Sequence, residues 1–173
     1  SGRSTMADAW RAFVHPQDRV AIKVNGLGLR NMASNKETVE AIIEGVMAAG
    51  VPGNQIVVYD QWDSFLRASR LNQRSLPAGV RMTSHNGEHL SGETRVPSGR
   101  TWYALPLLEA TAVIGVPLVK DHSLCGFTGA MKNLTQFGLE PVVGFCVDNH
   151  VVAEDVPNVI RKAVLTGWVD TVI

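Results

Sequence analysis

Cysteine is scarce in this chain, which has only Cys125 and Cys146 among its 173 residues. Neither residue lies in a CxxC pair or in a cysteine–histidine spacing typical of structural zinc. Two thiols also fall short of the four ligands that an iron–sulfur cluster normally takes. No iron–sulfur cluster is therefore expected from this chain alone, while a disulfide between the two cysteines is neither required nor excluded.

The chain also lacks an excess of either charge and lacks a long apolar run. Lysine plus arginine and aspartate plus glutamate number 16 each, so the formal net charge is +0. Bulk charge therefore gives no attraction to nucleic acid, and no run of about 18 apolar residues predicts a transmembrane segment. With 45% hydrophobic and 18% charged residues, we expect a single folded domain over residues 1–173.

What the sequence has is an alternation of strand and helix patterns. Residues 20–25, VAIKVN, alternate in the manner of a strand, and residues 55–60, QIVVYD, form a second one. Between them, Ser34 and Glu37 make a capping box, apolar residues follow at helical spacing, and Gly50 is a natural stop. This β-α-β unit predicts parallel strands joined by a right-handed crossover.

A continuous apolar run at residues 112–119 predicts a third strand, buried on both faces of the sheet. Weaker patterns predict strands at 80–83, at 140–147 and near the C-terminus, and short helices at 6–14, 64–71 and 154–166. The predicted fold class is therefore a three-layer α/β fold, with a mostly parallel sheet of four or five strands and helices on both faces.

Polar side chains end or follow the strands predicted at 20–25, 55–60 and 112–119. Asn25, Asp60 and Asp121 would lie together at the C-terminal edge of a parallel sheet, where α/β proteins bind ligands. Beside Asp121, His122 has the character of a general base oriented by a carboxylate. The alternatives are structural: Asp60 or Asp63 would cap a helix, and Asp121 with His122 would close a turn.

Three further motifs carry less specific signals. Gly26 and Gly28 follow the first strand as in a dinucleotide loop, but Asn31 stands where the third glycine belongs, so a flexible loop or an anion contact competes with a nicotinamide site. His85, Glu88 and His89 suggest a metal cluster or a solvated loop. Cys125 is either a thiolate or a packed small residue.

The order VAIKVN, capped helix, QIVVYD and VPLVKDHSLCGFTGAMKNLTQ resembles the DUF362 family over about residues 7–136. The resemblance implies a bacterial α/β protein without an established reaction. Some members carry a ferredoxin-like iron–sulfur module, and many are exported through a twin-arginine signal. It therefore favours an exported, periplasmic location over a cytoplasmic one, although this chain shows neither module nor signal.

The similarity ends at Gln136, whereas family members usually continue for a hundred or so residues. The chain is accordingly expected to be a short variant or part of a longer protein. The family's characteristic polar residues fall on Lys23, Asn25, Asp60, Lys120, Asp121, His122, Thr128, Lys132 and Asn133.

These observations give a leading hypothesis and an alternative. The first is an anion- or metal-binding site at the C-terminal sheet edge with a redox association, whose partners would be a small anionic molecule or a divalent metal and an iron–sulfur redox protein. The alternative is a non-catalytic assembly subunit that binds other subunits through its apolar C-terminal tail. In the first hypothesis the predicted catalytic residues are His122, Lys120 and Lys132; the ligand-binding residues are Lys23, Asn25, Asp60, Thr128 and Asn133; and the metal ligands are Asp121 and His122.

Overall fold

The structure is a computed structural model that describes residues 2, 4–85, 90–96, 99–122, 126–133 and 171–172. Its helices are α1 (Met6–Trp10), α2 (Lys36–Ala48), α3 (Asp63–Ala68), α4 (Leu105–Glu109) and α5 (Ala130–Asn133). Its strands are β1 (Val20–Lys23), β2 (Ile56–Asp60), β3 (Arg81–Ser84), β4 (Leu90–Val96), β5 (Gly99–Ala104), β6 (Ala112–Gly115), β7 (Lys120–His122), β8 (Gly126–Thr128) and β9 (Thr171–Val172).

The main sheet is parallel, with the strand order β3-β2-β1-β6-β9. The central strand β1 lies between β2 and β6, so that Ile22 faces Val58 on one side and Ile114 on the other. The short strand β9 pairs with β6 at one end of the sheet, and β3 pairs with β2 at the other. The predicted α/β class and the predicted four or five parallel strands are thereby confirmed.

One face of the sheet packs against helices. Ile22, Val58 and Ile114 belong to a core that also contains Val39 and Ile43 of α2. The indole of Trp10, from α1, lies against Gly45 and fills the space that a β-carbon would take. Because these side chains alternate along the strands, the other face carries a separate core.

The second face is covered differently from the prediction. Its core joins Ala21, Tyr59 and Val113 to Tyr103 and Leu107. These partners come from the antiparallel hairpin β4–β5 and from the five-residue helix α4. Helical layers on both faces are therefore not what the described residues show, because strand β5 contributes Tyr103 and Ala104 to the second layer beside helix α4.

Helix α2 begins one residue later than the capping box predicts. Its N-cap is Asn35, whose side chain accepts from the Thr38 amide, whereas Ser34 is buried and its hydroxyl donates to the Val116 carbonyl oxygen. The predicted end is confirmed, since Gly50 follows the helix with a φ of 112°, a conformation that glycine adopts without strain.

The strand predicted at residues 112–119 is too long. Strand β6 ends at Gly115, and β7 belongs to a separate hairpin in which Lys120 faces Thr128 and His122 faces Gly126. Lys120, Asp121 and His122 are therefore not the end of a central strand. A loop of four residues separates them from β6, and the bond between Ser34 and Val116 fixes the start of that loop.

Other predicted elements have mixed outcomes. The first helix is α1, shorter than predicted, and α3 begins at Asp63. The predicted strand at 140–147 and helix at 154–166 lie outside the described residues. Within the part of the chain that is described, no helix is long and apolar enough to cross a membrane.

A buried lysine–aspartate pair at the C-terminal edge of the sheet

The centre of the candidate site is an ion pair between the ends of two neighbouring strands. Lys23 ends β1 and Asp60 ends β2, and the lysine Nζ lies 2.7 Å from Asp60 Oδ1. Only 1% of the Lys23 side chain and 0% of the Asp60 side chain is exposed. Burial lowers the pKa of Lys23, and the charge of Asp60 acts against that lowering.

The Lys23 ammonium donates hydrogen bonds to three different oxygen atoms. Besides Asp60, it donates to the Val24 carbonyl oxygen at 2.6 Å and to Asn133 Oδ1 at 3.4 Å. An ammonium has three N–H donors, and these three acceptors match that number. Lys23 is therefore held in one position inside the protein.

The Asp60 carboxylate is satisfied by backbone as well as by charge. Its Oδ1 accepts from the Gln61 amide and its Oδ2 from the Gly26 amide, each at 2.8 Å. Asp60 caps no helix, because α3 begins three residues later and its N-cap Trp62 makes no side-chain hydrogen bond. Asp63, the first residue of that helix, accepts from the Ser84 hydroxyl at 2.6 Å.

Two asparagines extend the network away from the pair. Asn25 Nδ2 donates to Asn133 Oδ1 at 3.2 Å, and Asn133 Nδ2 donates to the Lys23 carbonyl oxygen at 3.1 Å. The Asn25 amide donates to Ser34 Oγ at 2.7 Å. All of these groups are buried, so the loops after β1 and β6 and the short helix α5 are joined through hydrogen bonds out of water.

Lys120 is where this network approaches the surface. Its side chain is partly buried, and its Nζ donates to Asn25 Oδ1 at 3.4 Å. The structure thus brings five of the predicted site residues into one cluster: Lys23, Asn25, Asp60, Lys120 and Asn133. Their predicted roles in binding or catalysis stay predictions.

The other predicted site residues are placed only in part. Asp121 is exposed in β7, directly after Lys120. The register puts position 122 opposite Gly126 and position 128 opposite Lys120, and Lys132 belongs to α5. The side chains of His122, Thr128 and Lys132 lie outside what is described, and so does Cys125.

The glycine loop after β1 has a packing explanation. A β-carbon on Gly26 would overlap the backbone of Phe65 in α3, so the close approach requires glycine. Gly28 forms a bridge with Met32, and the three-residue 3-10 turn at Leu29–Asn31 follows it directly. A dinucleotide loop instead leads into a full helix, and that context is not found here.

The histidine cluster predicted near residue 85 is described only at its first member. His85 is fully buried, and its amide donates to the Asp60 carbonyl oxygen at 3.2 Å. Glu88 and His89 lie outside the described residues. Among the side chains that are described, no three His, Cys, Asp or Glu residues gather into a group that could hold a metal ion.

Tyr59 lies beside the pair, at the register position next to Lys23 on β1. Its hydroxyl is buried and has no hydrogen-bond partner among the described residues. Burial, together with the nearby charge of Asp60, raises the pKa of Tyr59 far above its ordinary value. Tyr59 therefore stays neutral and packs in the apolar core on the second face of the sheet.

Sequence reasoning missed Ser34 as a member of this network. Its hydroxyl links the Asn25 amide to the Val116 carbonyl oxygen and so ties the loop after β1 to the loop after β6. A serine before an apolar helical pattern has the signature of an N-cap. No signal in the sequence distinguishes that role from the one observed.

A comparison with curated proteins finds no match to this chain. A comparison with family models finds one family, described as a domain of unknown function, over residues 20–149. The match begins at the first residue of β1, includes every member of the buried network and extends beyond Gln136, where the sequence resemblance was expected to end. Because it covers most of the 173 residues, the chain belongs to the DUF362 family.

Proposed function

We propose that this chain binds a small anionic molecule at the C-terminal edge of its sheet, with Lys120 as the charged contact. The observation that carries the proposal is the hydrogen bond from Lys120 to Asn25, a residue that the buried network holds in place. A partly exposed ammonium on a fixed support is a suitable partner for a carboxylate or phosphate. Parallel sheets bind ligands at this edge.

In this proposal Lys23 positions the site and does not contact the ligand. Its side chain is 1% exposed, and its ammonium already donates to three oxygens. Hydrogen bonds link Lys23 to Asn133, Asn133 to Asn25, and Asn25 to Lys120. The fixed position of Lys23 therefore also restricts the position of the Lys120 ammonium. If the bound molecule reacts, His122 is the proposed acid or base, and Lys132 with Thr128 completes the anion contacts.

The proposal extends to a divalent metal at Asp121 and His122. Asp121 is exposed beside Lys120, so its carboxylate is open to a cation, and imidazole with carboxylate suits zinc or iron. Elemental analysis of the purified chain tests this extension directly. A stoichiometric metal that is lost on His122→Ala supports it, and a metal-free chain that takes up none from added zinc or iron contradicts it.

The anion site is tested by isothermal titration calorimetry, which measures the affinity of the full chain for inorganic phosphate and for oxalate. We expect Lys120→Met to weaken the binding of one of these anions about tenfold, which corresponds to the loss of about 1.4 kcal/mol. Lys120→Arg should retain most of the affinity because it keeps the charge. Lys36→Met, which removes a partly exposed lysine from α2, is the matched control.

Two outcomes would overturn the anion site. One is the absence of any binding by the unaltered chain at millimolar anion. The other is binding that Lys120→Met leaves unchanged while the variant keeps its fold, as judged by circular dichroism.

A second candidate is an assembly subunit, which a different observation favours. Large apolar side chains are exposed in the loops that follow β1, β2 and β6, with Val119 80% exposed. These side chains are Leu27, Leu29, Met32, Trp62 and Val119. Exposed apolar groups in one region are typical of protein contacts, so a stable oligomer that ignores both anions would favour this candidate.

A further inference from the structure

A cavity lies at the opposite edge of the sheet, where β1 and β2 begin. Its volume is about 350 Å³, within the range of small-molecule sites. Its lining includes Arg19, Val57, Arg81, Pro106, Glu109 and Ala110. It shares no residue with the buried lysine–aspartate network described above.

The cavity continues as a groove along the second face of the sheet. A smaller cavity of about 190 Å³ shares Val57, Arg81, Pro106 and Glu109 with the first and adds Thr83. In the register of β2 and β3, Arg81 lies beside Val57. The groove therefore runs between the edge strand β3 and helix α4, and both apolar and polar side chains line it.

The two arginines of the groove differ in how they are held. Arg19 Nε donates to the Glu109 carbonyl oxygen at 2.5 Å. Arg81 is exposed, and in the described part of the chain its guanidinium has no hydrogen-bond or ion-pair partner. Glu109 contributes the carboxylate of the lining, so the charged side chains of the groove sum to one net positive charge.

We infer that this groove is a second ligand site, which binds an organic anion made of a carboxylate or phosphate on a compact apolar body. Arg81 presents a planar guanidinium that can donate two parallel hydrogen bonds to either anionic group. Val57, Pro106 and Ala110 offer the apolar surface for the body of the molecule. The inference does not depend on the site at Lys120.

The inference is tested by NMR titrations that measure the affinity of the full chain for three compounds. These are benzoate, phenyl phosphate and the neutral benzyl alcohol. We expect at least one of the two anions to bind, more tightly than benzyl alcohol, and the preference between them identifies the anionic group. Arg81→Gln should weaken that binding about tenfold, while Glu109→Gln should strengthen it because a repelling carboxylate is removed.

The controls separate this site from general charge effects. Arg67→Gln on α3 and Glu44→Gln on α2 change exposed groups outside the groove. Neither variant should alter the affinity. Equal binding of the neutral alcohol, no binding of either anion, or an unchanged affinity in a folded Arg81→Gln variant would each overturn the inference.

Discussion

Lys23 and Asp60 form their charge-assisted hydrogen bond in a place that water does not reach. The attraction between such a pair roughly offsets the cost of removing two charges from water. Removing one partner is a different matter, because it leaves a buried charge without compensation. We therefore expect the pair to act more on the arrangement of the loops after β1 and β2 than on the total stability.

Lys23→Met is expected to lower the free energy of unfolding by about 3–5 kcal/mol, since it strands the Asp60 carboxylate in the interior. Urea unfolding at neutral pH measures this change. Lys36→Met, which breaks a surface pair with Glu40 at 3.4 Å, should cost only about 0.3–0.5 kcal/mol.

Adding Asp60→Asn to Lys23→Met should recover part of the loss, because the stranded charge is then gone. A loss below about 1 kcal/mol for Lys23→Met alone would contradict the importance given to the buried pair.

At the level of single residues, five members of this network were predicted as site residues, and Ser34 was missed. Lys23, Asn25 and Asp60 are predictable because each ends or follows a strand whose pattern is plain, and parallel strands end together. The contacts of Asn133 are not predictable in the same way. They join residues 108 and 110 positions apart, and no local pattern contains that information.

Among the elements, helix α2 has Asn35 as its N-cap, although the sequence pattern predicts Ser34 for that role. Asn35 accepts from the Thr38 amide at 3.1 Å and caps the helix. Ser34 lies one position earlier and holds two loops together through its hydroxyl. The helix begins one residue later than predicted partly because the Ser34 hydroxyl donates to the Val116 carbonyl oxygen and does not cap the helix.

Ser34→Ala and Asn35→Ala are expected to differ in size and in location. Asn35→Ala should lower the free energy of unfolding by about 1 kcal/mol through the lost cap. Ser34→Ala should cost about 1–3 kcal/mol, because the Asn25 amide and the Val116 carbonyl oxygen lose their buried partner.

Urea unfolding gives both values, and hydrogen exchange locates the effects. Ser34→Ala should raise amide exchange at residues 25 and 116, while Asn35→Ala should raise it in the first turn of α2. If Ser34→Ala acted only on the helix, the serine would be a cap after all.

The elements divide into those with a strong local pattern and those without one. Strands β1 and β2 and helix α2 follow from alternation and helical spacing, which burial on one or two faces imposes. The pairing of β4 with β5 was not predicted, because residues 72–100 are the least regular part of the chain and only 80–83 carry a weak strand pattern. Strand β6 was predicted too long because apolar residues continue past Gly115 although the ladder with β1 has ended.

In the molecule as a whole, Asn133 connects the later part of the described chain to its first strand. The side-chain amide of Asn133 forms hydrogen bonds with Lys23 and Asn25. Asn133 is the last residue of α5, the short helix that follows the hairpin β7–β8. The hairpin that carries Lys120 therefore depends on a contact with the central sheet that forms over a long loop.

Asn133→Ala is expected to loosen this hairpin while the sheet stays intact. Hydrogen exchange followed by mass spectrometry should show faster exchange in peptides that cover residues 120–133. Peptides that cover β1 and β2 should change little, because backbone ladders and apolar packing hold those strands.

Asn31→Ala, which removes an exposed loop asparagine, serves as the control. Uniformly faster exchange across the chain would mean that Asn133 supports the whole fold and not the hairpin alone.

Because β1, β2 and β3 are parallel, the groove and Lys120 lie at opposite ends of the same strands, and the length of β2 sets the distance between the two proposed sites. Strand β2 runs from Ile56, near the groove, to Asp60, near Lys120, and five residues in a strand extend about 13 Å. A molecule of phosphate or benzoate size cannot touch both ends at once. Under the two proposals, one such molecule would bind at each end of the same strands.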